Sequence, residues 1–144
     1  MNQKGHTLIE IIMVIFLMVL ISQSIIIGTR FIKQVAFYKL VYEVEQCIIL
    51  ARDAAVATGD QYNTYCFTDR IIVRQGMTKP IYTVKMIYDV YIPNDITGKW
   101  IRFKGTMATS KAGTITLVCK SLGIQADITV RIATGKTTVY YRAL

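Results

Sequence analysis

One carboxylate, Glu10, stands directly before a long apolar run, which makes it the most unusual chemical feature of this chain. Residues 11–29 contain no charged side chain, so no basic residue inside the run can neutralise Glu10. At about 1.5 Å of rise per residue the run forms a helix about 29 Å long, close to the thickness of a bilayer core. Ionisable groups at such positions are costly and commonly functional. The pattern predicts a membrane segment in which Glu10 has a specific role.

The other residue types that support catalysis are not arranged for it. His6 is the only histidine, so residues 7–144 can hold neither a Ser-His-Asp triad nor a Cys-His pair. The chain has no GxGxxG motif, no P-loop and no cluster of metal ligands. Glu43 and Glu45 are two positions apart on a predicted helix and do not face each other. The sequence therefore predicts a protein that is not an enzyme and uses neither a cofactor nor a metal.

Three cysteines, Cys47, Cys66 and Cys119, leave two alternatives open. They have no CxxC spacing and no histidine neighbour, and their odd number requires at least one free thiol. A Cys66–Cys119 disulfide between strands would suit a domain outside the membrane. Buried unpaired thiols are the alternative that we favour.

Beyond the apolar run the helix is predicted to continue. Apolar residues recur at spacings of three and four, the period of one helical face, at Phe37, Val41, Val44, Ile48, Ala51 and Ala55. Polar residues fall on the opposite side, at Lys39, Glu43, Gln46 and Asp53. Gly59 follows as a helix stop. We expect one helix of about 50 residues and about 75 Å, from His6 to near Thr58.

From Gln61 onward the pattern becomes β-branched and aromatic, with turn residues between short runs. The predicted strands are residues 62–67 and 71–74 as a hairpin, 81–92, 100–103, 114–119, 126–132 and 137–141. Trp100 and Phe103 are predicted to be core anchors. The fold class is therefore α+β, a long N-terminal helix with an antiparallel β domain packed on its second half.

Basic residues are concentrated late in the chain. Residues 30–95 are nearly balanced in charge, whereas residues 96–144 contain one acidic residue, Asp127, and the basic residues Lys99, Arg102, Lys104, Lys111, Lys120, Arg131, Lys136 and Arg142. Aromatic residues lie between several of these cations, as in surfaces that bind DNA. Strand alternation produces the same interleaving without any ligand, and a basic surface also suits an anionic wall polymer or a partner subunit. The eight cations are candidate contacts for DNA or another anion.

Residues 4–10, which read KGHTLIE, resemble the class III signal of type IV pilins and pseudopilins when the following apolar helix is included. A conventional secretory signal cleaved near Ser22 and Ser24 is one alternative, but it gives no reason for Glu10. An ordinary single-pass anchor is the other. The coincidence of KGHTLIE with the long apolar run favours the pilin-like interpretation.

The resemblance implies how the N-terminus is processed and used. A prepilin peptidase would cut after Gly5 and N-methylate the new terminus, His6. Glu10 would then be the glutamate that pairs with the terminal ammonium of a neighbouring subunit, because a carboxylate without a counter-charge is costly in an apolar filament core. The chain departs from the family pattern in having His6 where phenylalanine is common and in lacking the proline that bends many pilin helices.

Four further segments narrow the resemblance to one group of pilin-like proteins. Together with the class III signal, the resemblance covers nearly the whole chain. The four segments are similar to the H-type minor pseudopilins of type II secretion, type IV pili and Gram-positive competence, and they read ARDAA at 51–55, IRF at 101–103, GTITL at 113–117 and ITV at 128–130 followed by GK at 135–136.

The expected organisation is a leader at residues 1–5, a transmembrane or filament-core helix at 6–29, its amphipathic continuation at 30–59 and a β domain at 60–144. The resemblance implies a single-pass protein of the cell membrane with the β domain outside the cytoplasm. Its partners would be the prepilin peptidase, other pilin subunits, the membrane and DNA. We expect a subunit of a competence DNA-uptake pseudopilus, with a secretion or pilus subunit that does not contact DNA as the alternative.

Overall fold

The computed structural model describes residues 8–77, 79–87, 89–93, 100–105, 109–111, 113–132 and 134–144. Its elements, in chain order, are α1 (Leu8–Thr58), β1 (Gln61–Cys66), β2 (Arg70–Gln75), β3 (Lys79–Lys85), β4 (Val90–Tyr91), β5 (Trp100–Lys104), β6 (Thr109–Lys111), β7 (Gly113–Cys119), β8 (Ile124–Val130) and β9 (Thr137–Ala143). All strand pairings among them are antiparallel. The predicted α+β class, with one long apolar helix before an antiparallel β domain, is confirmed.

The chain divides into two units, Met1–Val35 and Ala36–Leu144, although α1 contributes to both. This division lies inside the segment 30–59 that the sequence marks as the amphipathic continuation. In the first unit the large apolar side chains of α1 are exposed. By length and composition, α1 is the one helix in the described part of the chain that could span a membrane.

Two of the polar residues within the apolar run of the first unit are serines, and both form hydrogen bonds within the helix. The Ser22 hydroxyl donates to the carbonyl of Met18 at 2.7 Å, and the Ser24 hydroxyl donates to the carbonyl of Leu20 at 3.0 Å. Hydroxyls bonded back to the preceding turn add little polarity to a helix surface. The serines are therefore compatible with an apolar environment around this segment.

In the second unit α1 supplies one side of the core. The six residues of the predicted apolar face are all buried, as are Leu40 and Cys47. Gly59 ends the helix in a left-handed conformation, with φ of 75°, and its N–H donates to the carbonyl of Ala55 at 2.9 Å. Gly105 lies against this stop, since a Cβ there would be 3.1 Å from the Gly59 carbonyl oxygen.

Five strands form the first sheet, in the order β3-β2-β1-β5-β6. Its inner face contributes to the core with Tyr62, Cys66, Ile71, Val73, Ile101 and Phe103. Because successive strand residues point to opposite faces, Trp100 lies on the outer face, opposite to Phe103. Phe103 is fully buried as predicted, but Trp100 is only partly buried. The prediction that Trp100 is a core anchor is wrong, because its odd separation from Phe103 places the two side chains on opposite faces.

Four strands form the second sheet, in the order β4-β7-β8-β9. The last two predicted strands are confirmed, and they form an antiparallel hairpin in which β8 pairs with β9 from Ile124↔Ala143 to Val130↔Thr137. The predicted single strand 81–92 is wrong. It divides into β3 and β4, which belong to different sheets.

The strand β3 lies at one edge of the first sheet and pairs irregularly with β2. The register shifts between Val73 and Arg74, so that Val73 pairs with Tyr82 and Arg74 pairs with Pro80. Ile81 is the additional residue of this β-bulge, which bends the strand locally.

Candidate functional site

A row of four polar side chains crosses the outer face of the first sheet. Asn63 on β1 pairs with Arg74 on β2 and with Arg102 on β5, and Arg102 pairs with Lys111 on β6. Since neighbouring strands are about 4.7–4.9 Å apart, the row extends over about 14 Å. We call these four residues the cationic row, because three of them are basic.

Asn63 fixes the centre of the cationic row. It is fully buried, and its Oδ1 accepts hydrogen bonds from Arg102 Nε at 3.1 Å and Gln61 Nε2 at 3.2 Å. Its Nδ2 donates to the carbonyl of Gly76 at 2.8 Å. A buried amide satisfied on both sides holds its position, so Asn63 orients the Arg102 guanidinium.

Two aromatic rings support the cations of the row. The Lys111 ammonium lies 3.6 Å from the centroid of Trp100, and the Arg102 guanidinium carbon lies 5.9 Å from the same centroid. Arg74 lies over Tyr65 at 5.6 Å, and the two ring centroids are 6.3 Å apart. Cation–π contacts of this kind contribute about 0.5–1 kcal/mol at exposed sites. The rings and the cations therefore form one contiguous cluster.

Two polar atoms in this cluster are buried and have no hydrogen-bond partner among the described residues. They are Arg74 Nε and Trp100 Nε1. One hydrogen bond of the cluster is long, since Arg74 Nη1 donates to the carbonyl of Met77 at 3.5 Å. The cluster therefore keeps donor capacity that its own residues do not use.

The first sheet is strongly cationic. Its described strands contain no aspartate or glutamate, and their basic residues are Arg70, Arg74, Lys79, Lys85, Arg102, Lys104 and Lys111. The strands of the second sheet carry one residue of each sign, Arg142 and Asp127. The positive charge of the strands is thus concentrated on one sheet.

The eight basic residues predicted as anion contacts separate in the structure. Arg102, Lys104 and Lys111 belong to the first sheet, whereas Lys120, Arg131 and Lys136 lie beside strands of the second sheet. Arg142 lies 3.4 Å from the buried carboxylate of Asp127. Lys99 lies outside the described residues.

Sequence reasoning missed Arg70, Arg74, Lys79 and Lys85. They lie in residues 30–95, where the acidic residues of α1 and the loops balance the count. The alternation in β2, which reads RIIVRQ, was the available signal, because it places both arginines on the face opposite to Ile71 and Val73.

Glu10 lies in the first turn of α1, on its exposed surface. The positive end of the helix dipole lies at this terminus and offsets part of the cost of a carboxylate there. The predicted cleavage residues, Gly5 and His6, lie outside the described residues.

An open groove of about 610 Å³ lies in the second unit beside α1 and β3. The Tyr82 hydroxyl donates to Glu43 Oε1 at 3.2 Å, and this hydrogen bond raises the pKa of Tyr82. The remaining lining is mostly apolar, with Ile49, Leu50 and Ala54. A phenol with a raised pKa is a poor general base at neutral pH.

In the described part of the chain, no group of three or more metal-ligating side chains could hold an ion.

All three cysteines are buried free thiols, which decides between the two alternatives left by the sequence. Burial raises the pKa of Cys47 and of Cys66 to about 12. Thiols of this kind are protonated and unreactive at neutral pH.

Comparisons with protein-family models, with curated proteins and with solved structures find no match to this chain.

Proposed function

We propose that this chain is a minor subunit of a type IV pilus-like filament. Its precursor would be cut after Gly5 and methylated on His6, inserted in the cell membrane once, and assembled with other pilin-like subunits. The β domain would lie outside the cytoplasm. The observation that carries the proposal is α1, which has an exposed apolar segment of membrane length and continues into the core of the β domain.

One feature of α1 favours a filament subunit over an ordinary anchor. Glu10 opens the apolar segment, where an anchor that only faces lipid gains nothing from a carboxylate. The exposed apolar surface lies on all sides of the helix, which suits lipid and neighbouring helices alike. A terminal ammonium from the next subunit would neutralise Glu10 and set the register between subunits.

The experiment expresses the full chain in cells that contain a prepilin peptidase and partner subunits. Mass spectrometry of the mature chain should find an N-terminus at His6 that carries one methyl group. Glu10→Ala should insert in the membrane but fail to enter filaments, since removal of a carboxylate favours insertion. Ser24→Ala is the matched control, because it alters the same exposed helix without changing its charge, and it should assemble normally.

Two outcomes would overturn the proposal. One is a chain that keeps its first five residues in cells where the peptidase cuts other precursors. The other is normal filament entry by Glu10→Ala. Replacement of Gly5 by a bulky residue should block the cut and leave the precursor in the membrane.

Among filament systems, we propose a competence pseudopilus that takes up DNA, on the strength of the cationic first sheet. A type II secretion or type IV pilus subunit that does not contact DNA is the alternative. Deletion of the gene should abolish DNA uptake while secreted proteins still reach the medium. The reverse result would assign the chain to secretion.

A further inference from the structure

We infer that the cationic row on the outer face of the first sheet binds the sugar-phosphate backbone of DNA without stacking on its bases. The inference rests on the proposed function for its biological setting, but the binding itself is a property of the β domain. Arg74, Arg102 and Lys111 are the phosphate contacts, and Asn63 positions Arg102.

Charge placement is the first argument. Arg102 and Lys111 are directly opposite on neighbouring strands, and like charges in that relationship destabilise a sheet. The described strands of this sheet contain no aspartate or glutamate. A polyanion that lies across the row would relieve the repulsion between the two cations, because each phosphate neutralises a cation and releases a counterion.

Orientation is the second argument. Nε of Arg102 donates to Oδ1 of the buried Asn63, which holds the guanidinium in place. Arg74 is aligned by the Tyr65 ring and retains a buried Nε without a partner among the described residues. Arginines held in this way lose less side-chain entropy when they bind phosphate.

The position of Lys111 determines the mode of binding. Its ammonium lies 3.6 Å from the Trp100 centroid, in the space that a stacked base would occupy on that face of the ring. Trp100 therefore serves to hold cations, in contrast to the stacking platforms of proteins that bind bases. Binding should depend on phosphates and be independent of base identity.

The test uses the full chain in detergent micelles and two labelled oligomers about 16 nucleotides long. One is oligothymidylate, and the other is an abasic deoxyribose-phosphate chain of the same length. We expect the two affinities to agree within about twofold and to fall linearly with salt on logarithmic axes. Arg74→Ala, Arg102→Ala and Lys111→Ala should each weaken both affinities about fivefold and reduce the salt slope by about one.

Arg142→Ala is the matched control. It removes an exposed strand cation from the second sheet, and it should leave both affinities and the slope unchanged. Asn63→Ala should weaken binding and keep the salt slope within about 0.3 of wild type, because no phosphate contact is removed. Circular dichroism of each variant separates loss of binding from loss of fold.

Three results would overturn the inference. The first is a loss of affinity on the abasic oligomer, which would assign the binding to bases. The second is an equal effect of Arg142→Ala, which would indicate diffuse charge, and the third is no binding at low salt. A chain that assembles into filaments but does not bind would refute this inference alone, whereas one that binds but is neither cut nor assembled would refute the proposed function alone.

Discussion

The ammonium of Lys111 lies 3.6 Å from the centroid of Trp100, the only tryptophan of the chain. The contact makes the tryptophan a reporter of the local potential. Iodide, an anion, should be drawn to the ring, and Lys111→Ala should lower iodide quenching about twofold relative to the neutral quencher acrylamide at low salt. Lys120→Ala, which removes a cation beside Tyr91, is the control and should not change that ratio. An unchanged ratio in Lys111→Ala would contradict the contact.

Phe103 and Trp100 should differ in their contribution to stability. Phe103 is fully buried, so Phe103→Ala should lower the free energy of unfolding by about 3–5 kcal/mol. Trp100→Ala should cost less than about 2 kcal/mol, because the ring is only partly buried and its contacts with Lys111 and Arg102 are cation–π contacts at the outer face of the sheet. Urea unfolding of the full chain in micelles, followed by circular dichroism, measures both. An equal or larger loss for Trp100→Ala would place that ring in the core after all.

Prediction from the sequence succeeded for Phe103 and failed for Trp100 for one physical reason. Composition identifies both as large apolar residues, but only the strand register decides which of them faces the core. The apolar period of α1 carries more information, since six positions over five turns agree, and all six are buried. The apolar and β-branched runs of the β domain are shorter. Nothing in the sequence of residues 81–92 indicates that they form strands of two different sheets.

The candidate site, too, could be predicted only in part from the sequence. Arg102 was predicted from the charge of residues 96–144, whereas Arg74 was not, because it lies 28 positions earlier in a segment of balanced charge. Strand pairing through Asn63 joins them. Charge counted along the chain does not foresee a surface made by non-adjacent strands.

One substitution of Thr64 should raise the free energy of unfolding, in contrast to the substitutions of Phe103 and Trp100. Its side chain is fully buried on β1, and its hydroxyl has no hydrogen-bond partner among the described residues. Thr64→Val replaces that hydroxyl with a methyl of similar shape and should raise the free energy of unfolding by about 1 kcal/mol. Thr64→Ala is the comparison, because it also removes a methyl and should be destabilising. Destabilisation by Thr64→Val would mean that the hydroxyl is satisfied.

Asp127 and Arg142 should contribute unequally to the stability of the fold, although their side chains form an ion pair. The Asp127 carboxylate is buried and accepts hydrogen bonds from Thr116 Oγ1 at 2.8 Å and Gln125 Nε2 at 2.9 Å. Asp127→Ala should cost about 2–3 kcal/mol, since both donors lose their acceptor. The Arg142 side chain is 68% exposed, so Arg142→Ala should cost less than about 1 kcal/mol. Thermal unfolding of the two variants provides the measurement.

Cys47 and Cys66 should make stability fall at alkaline pH. Burial raises the pKa of each thiol from 9.0 to about 12, so the folded state retains a proton that the unfolded state releases. The contribution is fully present below pH 9 and is lost as the pH rises towards 12. Each thiol should remove about 1 kcal/mol of stability per pH unit in that range.

The measurement for this prediction is the urea midpoint at about pH 8 and about pH 10. The double variant Cys47→Ala, Cys66→Ala is the control. It should start less stable but lose less stability over the same interval, because tyrosines and lysines then supply the remaining dependence. Identical pH dependence in the two proteins would mean that the thiols titrate normally.

The irregular shape of β3 should limit aggregation where many copies of the protein lie close together. An open sheet edge invites pairing with the edge of another molecule, which is a route to aggregation. Pro80 offers no N–H to such a partner, the bulge at Ile81 interrupts a straight row of donors and acceptors, and lysines stand at both ends of the strand. In the filament that we propose, copies packed side by side through their helices would therefore be protected from fusing along this edge into a common sheet.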